Sequence, residues 1–195
     1  NQTIVNGVSF TVDKGEVLGI IGESGSGKSV TCKALVGLNH KRLSVEGKVT
    51  FNNVQMLTLS EMQLKKHRGK DIAMVMQQGS RAFDPSSTVG KQLIETMKVH
   101  TQLSIQEIEA TLIEYMDYMG LSNPKQILKS YPYMLSGGML QRMMIALALA
   151  LKPKLIIADE PTTALDTITQ YDVLQAFKDI KQHFDCAMIF ISHDL

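Results

Sequence analysis

The sequence predicts an α/β core into which a helical unit is inserted. Three observations carry that expectation. Short apolar, β-branched runs recur toward both ends of the chain, the way strands buried on both faces read. Between them, from about Phe83 to Leu151, apolar residues repeat with helical spacing instead. The first run also leads through a glycine-rich turn into a helix.

Taken in order, Val17-Leu18-Gly19-Ile20-Ile21 is expected to be a buried strand, and Lys28 to Leu38 a helix. Val8 to Val12 reads as a further strand upstream. Gly47 to Asn52 alternates, so it reads as a half-exposed, antiparallel strand. Ser60-Glu61-Met62-Gln63 opens a short helix with Ser60 as its cap. Asp71 to Met76 is another apolar strand. The texture changes at Gly79. Val89 to His100 and Ser104 to Met119 carry helical periodicity, and Ser104 with Glu107 forms a capping box. Ile105, Ile108, Leu112, Tyr115, Met116 and Met119 share one face, and Gly120 stops the helix. A third helix runs from near Gly137 to about Leu151, where Lys152-Pro153 ends it. Leu155 to Ala158 is then a strand, Ile168 to His183 a helix and Ala187 to Ile191 a strand. Residues 1–82 and 152–195 are expected to form the α/β core, and 83–151 the helical unit.

At 195 residues the chain suits one domain, or one core with an insertion. Apolar residues make up 44% and charged residues 20%, which excludes wholesale disorder. Lys plus Arg is 20 against 19 Asp plus Glu, a net charge of +1, so the basic excess of a nucleic-acid binder is missing. Cys32 and Cys186 stand far apart, as in a reduced compartment, and are too few for a four-cysteine zinc site. His40, His67, His100 and His183 lack metal-ligand spacing. No signal peptide is visible in Asn1 to Phe10. The apolar run Met143 to Leu151 is shorter than the ~20 residues that cross a bilayer. The basic cluster Lys65 to Lys70 reads as a solvated helix end, and the methionines between Met97 and Met144 as helical packing.

Gly22-Glu23-Ser24-Gly25-Ser26-Gly27-Lys28-Ser29 matches the phosphate-loop pattern G-x-x-x-x-G-K-[ST]. Its glycines let successive backbone N–H groups curl around a phosphate, and the helix starting at Lys28 adds its positive dipole end. Lys28 is expected to reach the β- and γ-phosphates, and the Ser29 hydroxyl to ligate Mg²⁺. Alone, the motif specifies a nucleoside triphosphate and no more.

The strand Leu155 to Ala158 ends in Asp159-Glu160. Beside a phosphate loop, Asp159 suits a second Mg²⁺ contact and Glu160 a general base for an attacking water. Leu135-Ser136-Gly137-Gly138-Met139 opens a helix. By itself it reads as a plain N-cap turn; it is also an anion-binding helix end. Two phosphate-binding helix ends in one chain pose a puzzle that a head-to-tail dimer resolves. The loop Gly22–Ser29 of one chain would then face Ser136–Met139 of another across the nucleotide.

Together these residues resemble the ATPase subunits of ATP-binding cassette (ABC) transporters, over essentially the whole chain. Gly22–Ser29 is similar to the Walker A motif, Leu155–Glu160 to Walker B and Leu135–Met139 to the ABC signature. Gln77 falls at the place of the Q-loop glutamine, Ala164-Leu165-Asp166 resembles the D-loop, and His193 in Ser192-His193-Asp194 resembles the switch histidine. Six motifs in the family's order are far more specific than any one. Glu23 to Ser29, Phe83-Asp84-Pro85, Met139 and Thr162 to Asp166 are similar to the branch that imports peptides, nickel or metal–metallophore complexes. Gln78-Gly79, Leu140 and Tyr133 depart from that branch's usual residues without removing a catalytic group.

The resemblance implies a P-loop NTPase (RecA-like) core with an antiparallel β subdomain and an inserted α-helical subdomain. It implies ATP and Mg²⁺ as cofactors. Glu160, His193 and Gln77 would be catalytic, and Ser29, Gln77 and Asp159 would serve the metal. Gly22, Glu23, Ser24, Gly25, Ser26, Gly27, Lys28, Ser29, Ser136, Gly137, Gly138 and Asp166 would bind nucleotide. The implied partners are a second ABC ATPase subunit, transmembrane permease subunits and, indirectly, an extracytoplasmic substrate-binding protein, with no nucleic acid. The implied location is the cytoplasmic face of the cell membrane. The family stacks adenine on an aromatic well upstream of the phosphate loop and continues beyond the switch histidine. Phe10 is not assigned the stacking role, and the chain is expected to be trimmed at both ends. The expected activity is ATP hydrolysis that powers uptake. The competing reading is a soluble ABC ATPase acting on DNA or ribosomes, against which the near-neutral charge stands. A kinase or GTPase fails to explain Leu135–Met139 and His193. A non-catalytic regulatory cassette would lack groups that are present here.

Overall fold

The computed structural model describes residues 3–77, 79–163, 165–183 and 186–193. In chain order the elements are β1 (Val17–Ile21), α1 (Lys28–Leu35), β2 (Thr50–Phe51), β3 (Val54–Gln55), α2 (Glu61–His67) and β4 (Ile72–Val75). There follow α3 (Val89–His100), α4 (Ile105–Tyr118), α5 (Pro124–Lys129) and α6 (Gly137–Ala150). The chain then forms β5 (Leu155–Asp159), α7 (Thr167–His183) and β6 (Ala187–Ser192).

Four strands make one parallel sheet in the order β1-β6-β5-β4, and β2 with β3 makes a small antiparallel sheet. Strands β4, β5 and β6 are mostly buried on both faces, but the expected buried strand Val17–Ile21 is half-exposed: β1 lies at the sheet edge and leaves Val17, Gly19 and Ile21 exposed on one side. Alternate residues of β5 and β6 separate cleanly between two cores, as the period of two requires. Ile156, Ala158 and Met188 face a core shared with α3, α4, α6 and α7. Ile157, Ile189 and Ile191 face a second core with Cys32 and Val36 from the α1 region and Leu64 from α2. Each such Ile contributes about 1.5–3 kcal/mol by leaving water. This two-sided burial is why the strands read as continuous apolar runs and not as alternating ones.

Helix α6 is the axis of the helical layer. Leu140, Met143 and Ile145 to Ala150 are all buried, so it has little solvent face. It packs against α4 and β4, while α3 lies on α4 and α5. The predicted capping box at Ser104 and Glu107 forms, and Ser60 makes a second one with Gln63. Gly120 ends the α4 region at φ 67°. Both cysteines are buried and free; burial pushes the Cys32 thiol up to about 12 and the Cys186 thiol to about 11.

The architecture agrees with the expected α/β core, antiparallel pair and helical group, and differs in detail. Helix α1 ends at Leu35, short of Leu38. Gly37 turns at φ 65°, the N–H of Leu38 returns to the carbonyl of Lys33, and the Arg68 guanidinium takes the carbonyls of Val36 and Gly37. Val8–Val12 is not a strand. It has no ladder partner among the described residues, although Phe10 and Val12 pack on the second core. The expected strand Gly47–Asn52 shortens to Thr50–Phe51, because Asn52 and Asn53 both adopt positive φ and turn the chain into β3. The short helix α5 was not expected. Its six residues are too few to show periodicity, and its signals are Asn123 before Pro124 at the first turn.

Gly90 marks the closest helix approach. A Cβ there would overlap the backbone carbonyl of Leu128, which cannot move aside as a flexible side chain can. Gly90→Ala is expected to destabilise the fold by about 1–3 kcal/mol, read as a thermal midpoint several degrees lower. An unchanged midpoint would contradict the close packing of α3 on α5.

Candidate functional site

Strand register builds the site. Ile21 pairs with Ser192, Asp159 with Ile191 and Val75 with Ala158. The carboxyl ends of the four parallel strands therefore finish within about one rung of each other. The next residues in each case are Gly22 after β1, His193 after β6, Glu160 after β5 and Met76-Gln77 after β4. This is the crevice where open parallel sheets bind ligands.

The phosphate loop is already shaped for an anion. Gly25 and Gly27 adopt φ 83° and 94°, a region side chains disfavour. Gly27 is also the N-cap of α1 and lies against Val5. Lys28 is only 8% exposed, and its Nζ donates to the carbonyls of Gly22 at 2.6 Å and Glu23 at 2.8 Å. Its charge is thus spent on its own loop. Glu23, Ser24, Gly25 and Ser26 face solvent, while Gly22 is half-buried. Ser29 donates from its hydroxyl to Oδ1 of the buried Asp159 at 2.7 Å. The Ser29 hydroxyl and the Asp159 carboxylate offer oxygen donors, the chemistry Mg²⁺ prefers, while the Gln77 amide bonds Glu160. Among the described residues no cluster of three or more His, Cys, Asp or Glu could hold a metal. Mg²⁺ needs none, since it binds through one or two protein oxygens together with phosphate.

Glu160 sits at φ 46°, a left-handed conformation that costs a non-glycine residue roughly 1–3 kcal/mol. Its N–H is bonded to the carbonyl of Ile191 in β6. Three groups converge on its Oε2: the Gln77 amide donates at 2.9 Å, the Thr163 hydroxyl at 3.1 Å, and Nδ1 of His193 lies 3.4 Å away. Among the described residues no hydrogen bond reaches Oε1. The arrangement orients a carboxylate with one oxygen held and the other left to accept a proton.

Ser136 to Gly138 lie elsewhere. The Ser136 hydroxyl accepts the N–H of Met139 at 3.2 Å, so it caps α6. Gly137 faces open space, whereas Gly138 packs beside Leu165 and Thr169. Asp166 accepts from the N–H and hydroxyl of Thr169 at 3.0 and 2.7 Å, and these bonds hold its carboxyl below the usual carboxylate range. Among the described residues no hydrogen bond joins Ser136–Gly138 to Gly22–Ser29. The structure therefore makes two groups of the expected residues. One is Gly22–Ser29 with Asp159, Glu160, Gln77 and His193; the other is Ser136–Gly138 with the Asp166 turn. Of the expected motif residues, Gln78, Ala164 and Asp194 lie outside the described residues.

Two residues beside the site carry no expected role. Thr163 is three positions after Glu160, close enough for a hydroxyl-to-carboxylate turn to be considered. Gln141 is the one amide in a helix whose only other polar side chain is Arg142, which is the signal that marks it.

Comparison with known proteins agrees with this geometry. A family model described as "ABC transporter" matches residues 5–163. The metal-staphylopine import system ATP-binding protein CntD of Staphylococcus aureus is 77% identical over 195 residues, all of this chain and 72% of that protein. The oligopeptide transport ATP-binding protein OppD of Bacillus subtilis is 41% identical, over 98% of this chain and 54% of its own length. Among solved structures, the ATP-binding cassette MJ0796, dimeric in a post-hydrolysis state with ADP and Pi, superposes with a TM-score of 0.83 at 29% identity. That match covers 95% of this chain and 78% of that one. A phosphate loop facing a carboxylate pair across a parallel sheet, on a chain so matched, belongs to the ABC transporter family as an ATP-binding, ATP-hydrolysing subunit.

Proposed function

We propose that the chain powers import of a metal–metallophore complex, with small peptides as the related cargo class. The observation that carries this is the 77% identity, across the whole chain, to an ATP-binding protein named for metal-staphylopine import. The OppD oligopeptide transport proteins of Bacillus subtilis and Escherichia coli are more distant, at 41% and 42%.

In this reading ATP lies along Gly22–Ser29. Lys28 turns from the carbonyls of Gly22 and Glu23 to the β- and γ-phosphates, exchanging two neutral acceptors for charged ones. Ser29 and Asp159 would hold Mg²⁺, directly or through water, and the Gln77 amide oxygen would be a further donor. Mg²⁺ supplies charge neutralisation for the phosphates. Glu160 takes a proton from the attacking water at Oε1 while Thr163 and Gln77 hold Oε2. His193 keeps the carboxylate and the water in line and donates to the γ-phosphate.

Among the described residues Ser136–Gly138 and Asp166 make no hydrogen bond to the phosphate loop of their own chain, which supports a second cassette as their target. Ser136–Gly138 of one subunit closes on the nucleotide held by Gly22–Ser29 of the other. Among the described residues no helix is long and apolar enough to cross a membrane, so permease subunits supply the passage. The cassette then works peripherally on its cytoplasmic side, with an extracytoplasmic binding protein delivering cargo.

The test is uptake in proteoliposomes holding the cassette subunits, the permease and the binding protein. ATP is expected to drive accumulation of a nickel–metallophore complex in preference to an oligopeptide. Peptide uptake with no metallophore uptake would overturn the cargo assignment.

A further inference from the structure

Among the described residues three polar or charged side chains are buried: Lys28, Asp159 and Gln141. The first two face each other's neighbours at the phosphate loop. Gln141 stands apart on α6 and is 1% exposed, between buried Leu140 and half-buried Arg142. An amide so placed is costly unless both of its ends are matched. Here both are. Its Oε1 accepts the N–H of Gly79 at 2.6 Å, and its Nε2 donates to the carbonyl of Met76 at 3.1 Å. Those two backbone groups flank Gln77, one residue before it and two after. The fit also depends on glycine, since a Cβ at Gly79 would come within 2.5 Å of Oε1 of Gln141.

We propose that Gln141 is a positioning residue for ATP hydrolysis, fastening the segment that carries Gln77 to the helix that Ser136 caps. The inference rests on the assignment of Gln77 and Glu160 above. Gln141 lies five positions after Ser136, about 7.5 Å along a stiff helix. A shift of the Ser136–Gly138 turn, as when a partner's nucleotide engages it, therefore carries Gln141 with it. Hydrogen bonds at these distances have little slack, so the Met76 and Gly79 backbone follows and the Gln77 amide changes its reach to Glu160. Engagement of the signature turn is thereby reported to the catalytic carboxylate within one chain.

Gln141→Leu in the full chain removes both bonds while keeping similar volume. Its kcat for ATP is expected to fall about 10–100-fold, as a catalytic group misplaced by about an ångström would cause, with KM for ATP nearly unchanged. Gln77→Ala is expected to lower kcat too, and the double variant to lose no more than Gln77→Ala alone; independent damage would multiply. Gln141→Glu supplies a conservative rescue. Only its protonated carboxyl can both donate to Met76 and accept from Gly79, and burial raises the pKa of such a carboxyl. Its kcat relative to wild type is expected to rise as pH falls.

Unchanged kcat in Gln141→Leu beside an impaired Gln77→Ala would overturn the inference alone. An unimpaired Gln77→Ala would remove the Gln77 assignment and the inference with it. Multiplying losses in the double variant would mark Gln141 as merely structural. Should Gln141→Leu not fold, the pH profile of Gln141→Glu decides, and a flat ratio overturns the proposal.

Discussion

Glu160→Gln is expected to abolish ATP hydrolysis while ATP binding survives. Glutamine is nearly isosteric, and its amide oxygen can occupy the place of Oε2, accepting from Gln77 and Thr163 as the carboxylate does. Its amide nitrogen then stands where Oε1 was and can only donate. Water loses its proton acceptor, and a general base is worth about 10²–10⁴-fold in rate. Binding is spared because the bonds that shape the phosphate loop, from Lys28 and Ser29, do not involve Glu160. The backbone at φ 46° is as strained for glutamine as for glutamate, so stability is not expected to move. Phosphate release and nucleotide titration on the same preparation check both halves. Normal turnover would remove Glu160 as the base; lost binding would mean that it shapes the nucleotide site itself.

The difference between what the chain's order discloses and what only the fold discloses is one of range. The phosphate loop is legible because all its parts are local: a short apolar strand, glycines at defined spacing, and a helix beginning at Lys28. Strands β4, β5 and β6 are legible because a sheet covered on both sides demands continuous apolar runs. By contrast, Gln77 and Glu160 stand 83 positions apart, and their contact exists only because β4 pairs with β5 in one register. A one-residue slip would exchange the two faces of the strand. Nothing in the order of residues sets that register visibly.

Gln141 shows the same limit from the other side. Its partners are the backbone of Met76 and Gly79, groups every residue carries, so no pairing of side-chain types could have pointed to them. Its burial in an apolar helix is readable; what it holds is not. The helix α5 and the irregular course of Val8–Val12 escape for a third reason. Both are short segments whose conformation is decided by neighbours and not by period.

Lys28→Ala is expected to weaken ATP binding about 10–100-fold, the equivalent of one charge-assisted hydrogen bond at about 1.5–3 kcal/mol. The side chain is 8% exposed and points along its own loop, so its stem is ordered before nucleotide arrives. Little conformational entropy then remains to be lost on binding. Removing the side chain also takes away its packed stem, which invites the objection that any loss is only structural. Lys28→Met answers it, because the apolar stem is kept and only the ammonium goes. Nucleotide titration of Lys28→Ala and Lys28→Met should give similar losses, and ATP should raise the thermal midpoint less in both than in the wild type. Retained affinity in Lys28→Met would place the lysine's value in packing, and the phosphate contact would have to be sought among the backbone N–H groups of Gly25 to Ser29 alone.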